Sequence, residues 1–190
     1  MMDQEAFSAG LKLLNNSIVD INEGGWANCF FSVEGSPDER EEFFSKLLTS
    51  PIFSAPTVKL ISLTPEELRA NLTIFRAGRE GDLWRSDEVE RARLALACLA
   101  GQFSGNNQTI VFAPATTVVF LIRAADELEG DTLGDFARQI LAASLAEVRV
   151  LAIIAGLGWY LGPLVRDYPD LVFGMRGVLL RPRELWRLGN

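Results

Sequence analysis

Two kinds of hydrophobic pattern follow one another along the chain. Apolar residues at intervals of three or four predict amphipathic helices at about 4–22, 38–48 and 133–145, and a shorter helix at 159–166. The expected inner faces carry Leu11, Leu14, Ile18 and Ile21, then Phe43, Phe44, Leu47 and Leu48, then Leu133, Phe136, Ile140, Leu141 and Leu145. Short runs rich in β-branched and aromatic residues predict buried strands at 27–33, 57–63, 109–112, 118–122, 149–154 and 171–180.

Capping signals mark the start of two further helices. Thr64, Pro65 and Glu67 predict one start, because a capping threonine, a proline at the first helical position and a glutamate three residues on satisfy the free N–H groups. Ser86 is the expected cap of the other helix. The apolar stripe of that helix is formed by Val89, Ala92, Leu96, Leu99 and Phe103. The charged segment 76–85 between the two helices is predicted to be an exposed loop.

The alternation of strands and helices predicts an α/β fold. Strands that are apolar along their whole length are typical of a mostly parallel sheet with helices on both faces. With 190 residues, of which 48% are hydrophobic, the chain is expected to form one domain over 1–190. We predict an N-terminal helix at about 4–22, a core at about 26–180 and a basic tail at about 181–190.

Composition narrows the function. The net charge of −7 argues against nucleic-acid and anionic-membrane partners, which bind basic patches. No apolar run is long enough for a transmembrane helix, and the acidic start of the chain does not resemble a signal peptide. Cys29 and Cys98 lie among apolar residues and are expected to be buried, reduced thiols, which indicates a cytoplasmic protein. Because histidine is absent, imidazole catalysis and histidine metal sites are excluded.

The turn after the first predicted strand lies where a nucleotide-binding α/β domain has its phosphate loop. Such a loop needs several glycines and a Lys-Ser or Lys-Thr pair around the phosphate. Here a single glycine, Gly35, precedes Ser36, and lysine is absent from the turn. Glu34, Asp38 and Glu39 instead bring negative charge to it. We therefore predict a surface for protein partners at this turn.

The end of the strand at 118–122 is the second place where nucleotide chemistry would be visible. An aspartate is required there to hold magnesium, but the next residue is Arg123, and Asp126 comes three residues late. The sequence therefore predicts a degenerate RecA/P-loop NTPase-like three-layer sandwich. Its expected function is that of a scaffold, not an enzyme, with neither cofactor nor metal.

Two alternatives assign a ligand to other residues. Arg79 and Asp82 form an Arg-x-Gly-Asp sequence, and Arg123 and Asp126 an Arg-x-x-Asp sequence, which are pairs that bind the guanine bases of cyclic di-GMP. The residues before Arg79 would place it at a strand exit, and an ordinary charged turn is the competing interpretation. Separately, the Gly156–Gly158 turn has the place of a dinucleotide fingerprint and would suit a cofactor-binding enzyme. Its third glycine is misplaced, which favours a plain strand-to-helix turn.

The C-terminal stretch is locally basic. An exposed tryptophan among arginines is typical of interface anchors, so this stretch is a second candidate surface for protein partners. Its residues are Arg181, Arg183, Trp186 and Arg187. Solubilising the last strand is the simpler interpretation.

The order of elements resembles the N-terminal domain of the cyclic di-GMP-sensing E subunit of bacterial cellulose synthase. The resemblance rests on the segments 7–11, 24–26 and 29–33, on a strand ending near Arg123, on the helix at 133–145 and on the segment 150–156. It implies a catalytically inactive NTPase-like domain that assists assembly of a secretion complex, with a homodimer as one possible state. In that family cyclic di-GMP binds a later domain, whereas Arg79 and Asp82 lie in the first 100 residues.

Overall fold

In the part of the chain that the structure describes, five parallel strands form a central sheet. The computed structural model describes residues 4–24, 29–79, 87–102, 112–113, 115–156 and 176–179. The strands are β1 (Phe30–Glu34), β2 (Val58–Leu63), β3 (Thr117–Ile122), β4 (Val150–Gly156) and β5 (Arg176–Leu179). The helices are α1 (Gln4–Asn22), α2 (Pro37–Leu48), α3 (Pro65–Arg79), α4 (Glu88–Leu99) and α5 (Gly130–Leu145), with 3₁₀ turns at Pro51–Ser54 and Ala125–Glu127.

The strands lie in the order β2-β3-β4-β1-β5, and every neighbouring pair is parallel. From β1 the chain continues to β2 on one side of the sheet, whereas the next described strand after β4 is β5, on the other side. The chain therefore leaves these two adjacent strands in opposite directions. In open α/β sheets, ligands bind beside the carboxyl ends of such strands.

Two layers of helices cover the sheet. On one face, α1 and α2 bury Phe7, Leu14, Ile18, Phe43 and Phe44 against alternate residues of the strands. On the other face, α3, α4 and α5 bury Leu68, Leu72, Leu96, Phe136 and Ile140. The central strands β3 and β4 are buried along their whole length, because helices cover both of their sides. The predicted three-layer α/β fold is confirmed.

The capping box predicted at α3 is present. The Thr64 N–H donates to the Glu67 carboxylate at 2.8 Å, and the Glu67 N–H donates to the Thr64 hydroxyl at 3.2 Å. This helix is longer than predicted, and the assignment of 76–79 to a loop is wrong. Leu68, Leu72 and Phe75 are spaced as one buried helical face, so burial carries the helix on to Arg79.

Other local predictions need correction at helix ends. The cap of α4 is Asp87, not Ser86, and its side chain accepts the N–H of Glu90 at 3.0 Å. Leu48 and Leu145 are the last residues of α2 and α5, and they are 36% and 68% exposed, not buried as predicted. Val89, in the first turn of α4, is 37% exposed. The predicted elements at 109–111, 159–166 and 171–175, with Phe103 and the tail at 181–190, lie outside the described residues.

Both cysteines are buried and free, as predicted. Burial raises the pKa of the Cys29 thiol, although a hydrogen bond with Ser144 partly offsets this effect. Burial likewise raises the pKa of Cys98. Both thiols are therefore neutral near pH 7, and neither has the character of a reactive thiolate.

Candidate functional site

The turn between β1 and α2 is closed by the protein's own groups. The Ser36 N–H and hydroxyl both donate to the Glu39 carboxylate at 2.9 Å, and the Glu39 N–H points back at the Ser36 hydroxyl at 3.5 Å. The Gly35 N–H donates across the sheet to the Gly156 carbonyl at 3.3 Å. Pro37, the first residue of the helix, has no N–H to offer.

These hydrogen bonds matter because a phosphate loop binds phosphate through backbone N–H groups at the same place. Free N–H groups at a helix N-terminus are what binds an anion. Here the Glu39 carboxylate is the anion that sits at the N-terminus of α2, and its residue is 8% exposed. The sequence correctly indicated negative charge at this turn. The role of Glu39 as an outward-facing partner residue is corrected by its burial, whereas Asp38 is exposed and Glu34 is half-buried.

Replacing Ser36 with alanine is expected to lower the free energy of unfolding by about 1 kcal/mol, because α2 loses its side-chain cap. Urea unfolding measures this. Ser45→Ala, at an exposed position of the same helix, is the matched control and should change stability by less than about 0.5 kcal/mol. Equal effects of the two substitutions would contradict a capping role for Ser36.

A buried ion pair joins α2 to the segment after β3. The Arg40 guanidinium donates to the Asp126 carboxylate at 2.8 Å and to the Arg123 carbonyl at 3.2 Å. The Arg40 and Asp126 side chains are only 6% and 14% exposed. A charge this deep is tolerated only when it is paired, so the two residues depend on each other.

Arg123 points from the end of β3 to the surface of α2. Its guanidinium donates to both oxygens of the Glu41 carboxylate at 3.0 and 3.1 Å, and lies 5.9 Å from the centre of the Phe44 ring. Its Nε atom is buried without a hydrogen-bond partner among the described residues. The place where nucleotide hydrolases of this architecture hold magnesium thus carries a guanidinium that is engaged by a neighbouring helix.

Of the remaining predicted site residues, the structure describes Arg79 and Gly156. Arg79 is the last residue of α3, so the prediction that a strand exit precedes it is wrong: Leu72 to Phe75 are helical. Asp82, Gly158 and the tail residues Arg181, Arg183, Trp186 and Arg187 lie outside the described residues. Gly156 ends β4, where its carbonyl accepts the hydrogen bond from Gly35.

Sequence reasoning missed the partners of the site. Arg40 and Glu41 are not among the predicted site residues, yet they supply the charges that meet Asp126 and Arg123. One signal was available: Arg40 follows a capping glutamate on the same side of the helix as Phe43 and Phe44. Its long-range partner, 86 residues away, left no trace in local sequence.

Within the part of the chain that the structure describes, His, Cys, Asp and Glu nowhere form a group of three that could hold a metal ion. In the same residues, no helix is both long and apolar enough to cross a membrane.

No protein-family model matches the chain, and no curated protein matches its sequence. Solved structures do match its fold. Drosophila ORC bound to AT-rich DNA and Cdc6 aligns with a TM-score of 0.54 and 13% identity, over 95% of this chain and 30% of that one. The Aeropyrum pernix ORC2 protein in its ADP form aligns with a TM-score of 0.51 and 11% identity, over 98% of this chain and 55% of that one. The chain thus spans about a third to a half of these proteins, and it has a fold of the RecA/AAA+ P-loop ATPase type.

Proposed function

We propose that this chain is a non-catalytic module that keeps a P-loop-ATPase-like fold and acts by binding protein partners. One observation carries the proposal: the N-terminus of α2 is capped by the carboxylate of Glu39 in the place where an ATPase would bind phosphate. The ion pairs of Arg40 with Asp126 and of Arg123 with Glu41 add to it, because they place two guanidinium groups beside the end of the neighbouring strand.

The partners are proposed to belong to a bacterial secretion or polysaccharide-synthesis complex in the cytoplasm. The support is the resemblance of the element order to the E subunit of cellulose synthase.

The turn between β1 and α2, residues 34–39, is called the capped turn below. Asp38 is exposed in this turn and is the first residue to test for binding. Capture of partners from the native host should be weakened by Asp38→Lys and unaffected by Asp20→Lys, an exposed acid of α1. Equal capture by all three proteins would remove the turn from the proposal.

Nucleotide is the ligand to test first, since one structural neighbour is in an ADP form. Calorimetry with Mg·ATP and Mg·ADP is expected to give no binding heat, and phosphate release should stay at background. The physical reason is that the Ser36 and Gly35 N–H groups are already bonded within the protein. Magnesium-dependent affinity for ATP, or hydrolysis that is lost on changing Gly35 and Ser36, would overturn the proposal.

The alternatives predicted from the sequence give the opposite results. A cyclic di-GMP sensor would release heat with cyclic di-GMP, and Arg79→Ala would abolish that heat. An enzyme using the Gly156–Gly158 turn would be stabilised by a nicotinamide dinucleotide in thermal unfolding. We expect neither signal from the wild-type protein.

A further inference from the structure

A groove of about 660 Å³ runs between α3, α4 and α5, on the face of the sheet opposite the capped turn. Phe75, Ala92 and Ala95 are buried and form its apolar floor. Arginines from all three helices line it: Arg76, Arg91 and Arg138. Because the whole sheet separates this groove from the capped turn, the two surfaces are independent.

Asp135 organises one side of the groove. Its carboxylate accepts hydrogen bonds from Arg76, one of them at 2.9 Å, and from Arg138. Burial alone would raise the pKa of Asp135, but the bonds and charges of the two arginines outweigh it and lower the pKa. Asp135 is therefore ionised near pH 7, and it holds both guanidinium groups in place.

Arg91, on α4, also lines the groove. Its guanidinium forms no ion pair within the part of the chain that the structure describes, whereas Arg76 and Arg138 both have Asp135. Among the described residues that line the groove, there are three arginines and two acids, Glu88 and Asp135, so this lining carries one surplus positive charge in a chain of net charge −7. The surplus charge matches a ligand that brings a carboxylate.

We propose that this groove binds a helical segment of a partner protein that presents a carboxylate to Arg91 and small apolar side chains to the alanine floor. Half of the described residues that line the groove are charged, whereas a small-molecule site is lined mostly by apolar side chains. Short alanine side chains let the backbone of another helix approach closely, and an apolar groove between helices is a common way to bind an amphipathic helix. This surface is additional to the one proposed at Asp38.

The test uses a fluorescein-labelled helical peptide of alanine and glutamate, about four turns long, in fluorescence anisotropy. Wild-type protein should bind it saturably, and Arg91→Ala should weaken binding about tenfold. Arg93→Ala, on the same helix but away from the groove, is the matched control and should leave binding unchanged. Ala142→Phe, at an exposed position of the groove wall, should block binding by filling the space.

Two further measurements test whether the carboxylate must belong to a peptide. One of them uses only the wild-type protein, so it does not depend on a variant being folded. A peptide with glutamine in place of glutamate should bind about tenfold more weakly to the wild-type protein, a result that needs no variant to fold. Hexanoate should not displace the acidic peptide. Absence of saturable binding, equal effects of Arg91→Ala and Arg93→Ala, equal binding of the glutamine peptide, or displacement by hexanoate would each overturn the proposal.

Discussion

Asp126→Asn is expected to lower the free energy of unfolding by about 3 kcal/mol, because it leaves the buried Arg40 guanidinium without its counter-charge. The asparagine amide oxygen and the Arg123 carbonyl, at 3.2 Å, can still accept hydrogen bonds, but neither carries a negative charge. The loss exceeds what the ion pair itself contributes, since most of it is the cost of an unpaired charge away from water. Urea unfolding followed by circular dichroism measures the difference.

An exposed ion pair of α2 is the control. Lys46 and Glu42 lie 3.0 Å apart with both side chains 49% exposed, so Glu42→Gln should cost less than about 0.5 kcal/mol. The double variant Arg40→Met, Asp126→Leu removes both charges together and should recover most of the stability lost in Asp126→Asn. Equal losses in Asp126→Asn and Glu42→Gln would show that the Arg40–Asp126 pair does not brace the site.

Phe136→Ala is expected to cost about 4 kcal/mol, which is the largest effect of any single change considered. Phe136 is fully buried on α5 and packs edge-to-face on Phe120 of β3, with ring centres 5.7 Å apart. Truncation therefore removes a large apolar side chain and leaves a cavity between α5 and the centre of the sheet. Thermal and urea unfolding both report the loss.

Leu145→Ala tests the same helix at an exposed position. Leu145 is 68% exposed, so its truncation should cost less than about 0.5 kcal/mol, although its spacing predicted a buried residue. A double-mutant cycle of Phe136→Ala with Phe120→Ala should give a coupling of about 1 kcal/mol for the ring contact. If Phe136→Ala costs no more than Leu145→Ala, α5 does not close the core at position 136.

Prediction from sequence was strongest where the signal is periodic. The helices α1, α2 and α5 and the strands β3 and β4 lie close to their predicted positions, because an apolar face or run reflects which side of an element leaves water. It failed at 72–79, where Thr73 and Ile74 looked like strand residues. Both lie on the exposed side of α3, where the identity of the side chain has little influence on the backbone.

In the candidate site, too, the local features could be predicted from sequence and the long-range contacts could not. The capping box of Ser36 and Glu39 is local, spanning three residues, and the sequence indicated the negative charge at that turn. The partners Arg40 and Asp126 are 86 residues apart, and Arg123 and Glu41 are 82 apart. Arginine and acid side chains are common on any surface, so their pairing could not be distinguished from ordinary solvated charge before the sheet was assembled.

The sequence by itself determined the layered α/β architecture and the absence of a phosphate loop's residues after β1. Both follow from short stretches of the sequence. The architecture follows from apolar periodicity, and the second feature follows from missing glycine and lysine residues. The tertiary structure alone decided that the Gly35 N–H is bonded to the Gly156 carbonyl, and that Arg40 is buried against Asp126. It also decided that three arginines from α3, α4 and α5 share one groove. These arrangements depend on which distant strands and helices become neighbours, a choice made by burial of the whole core.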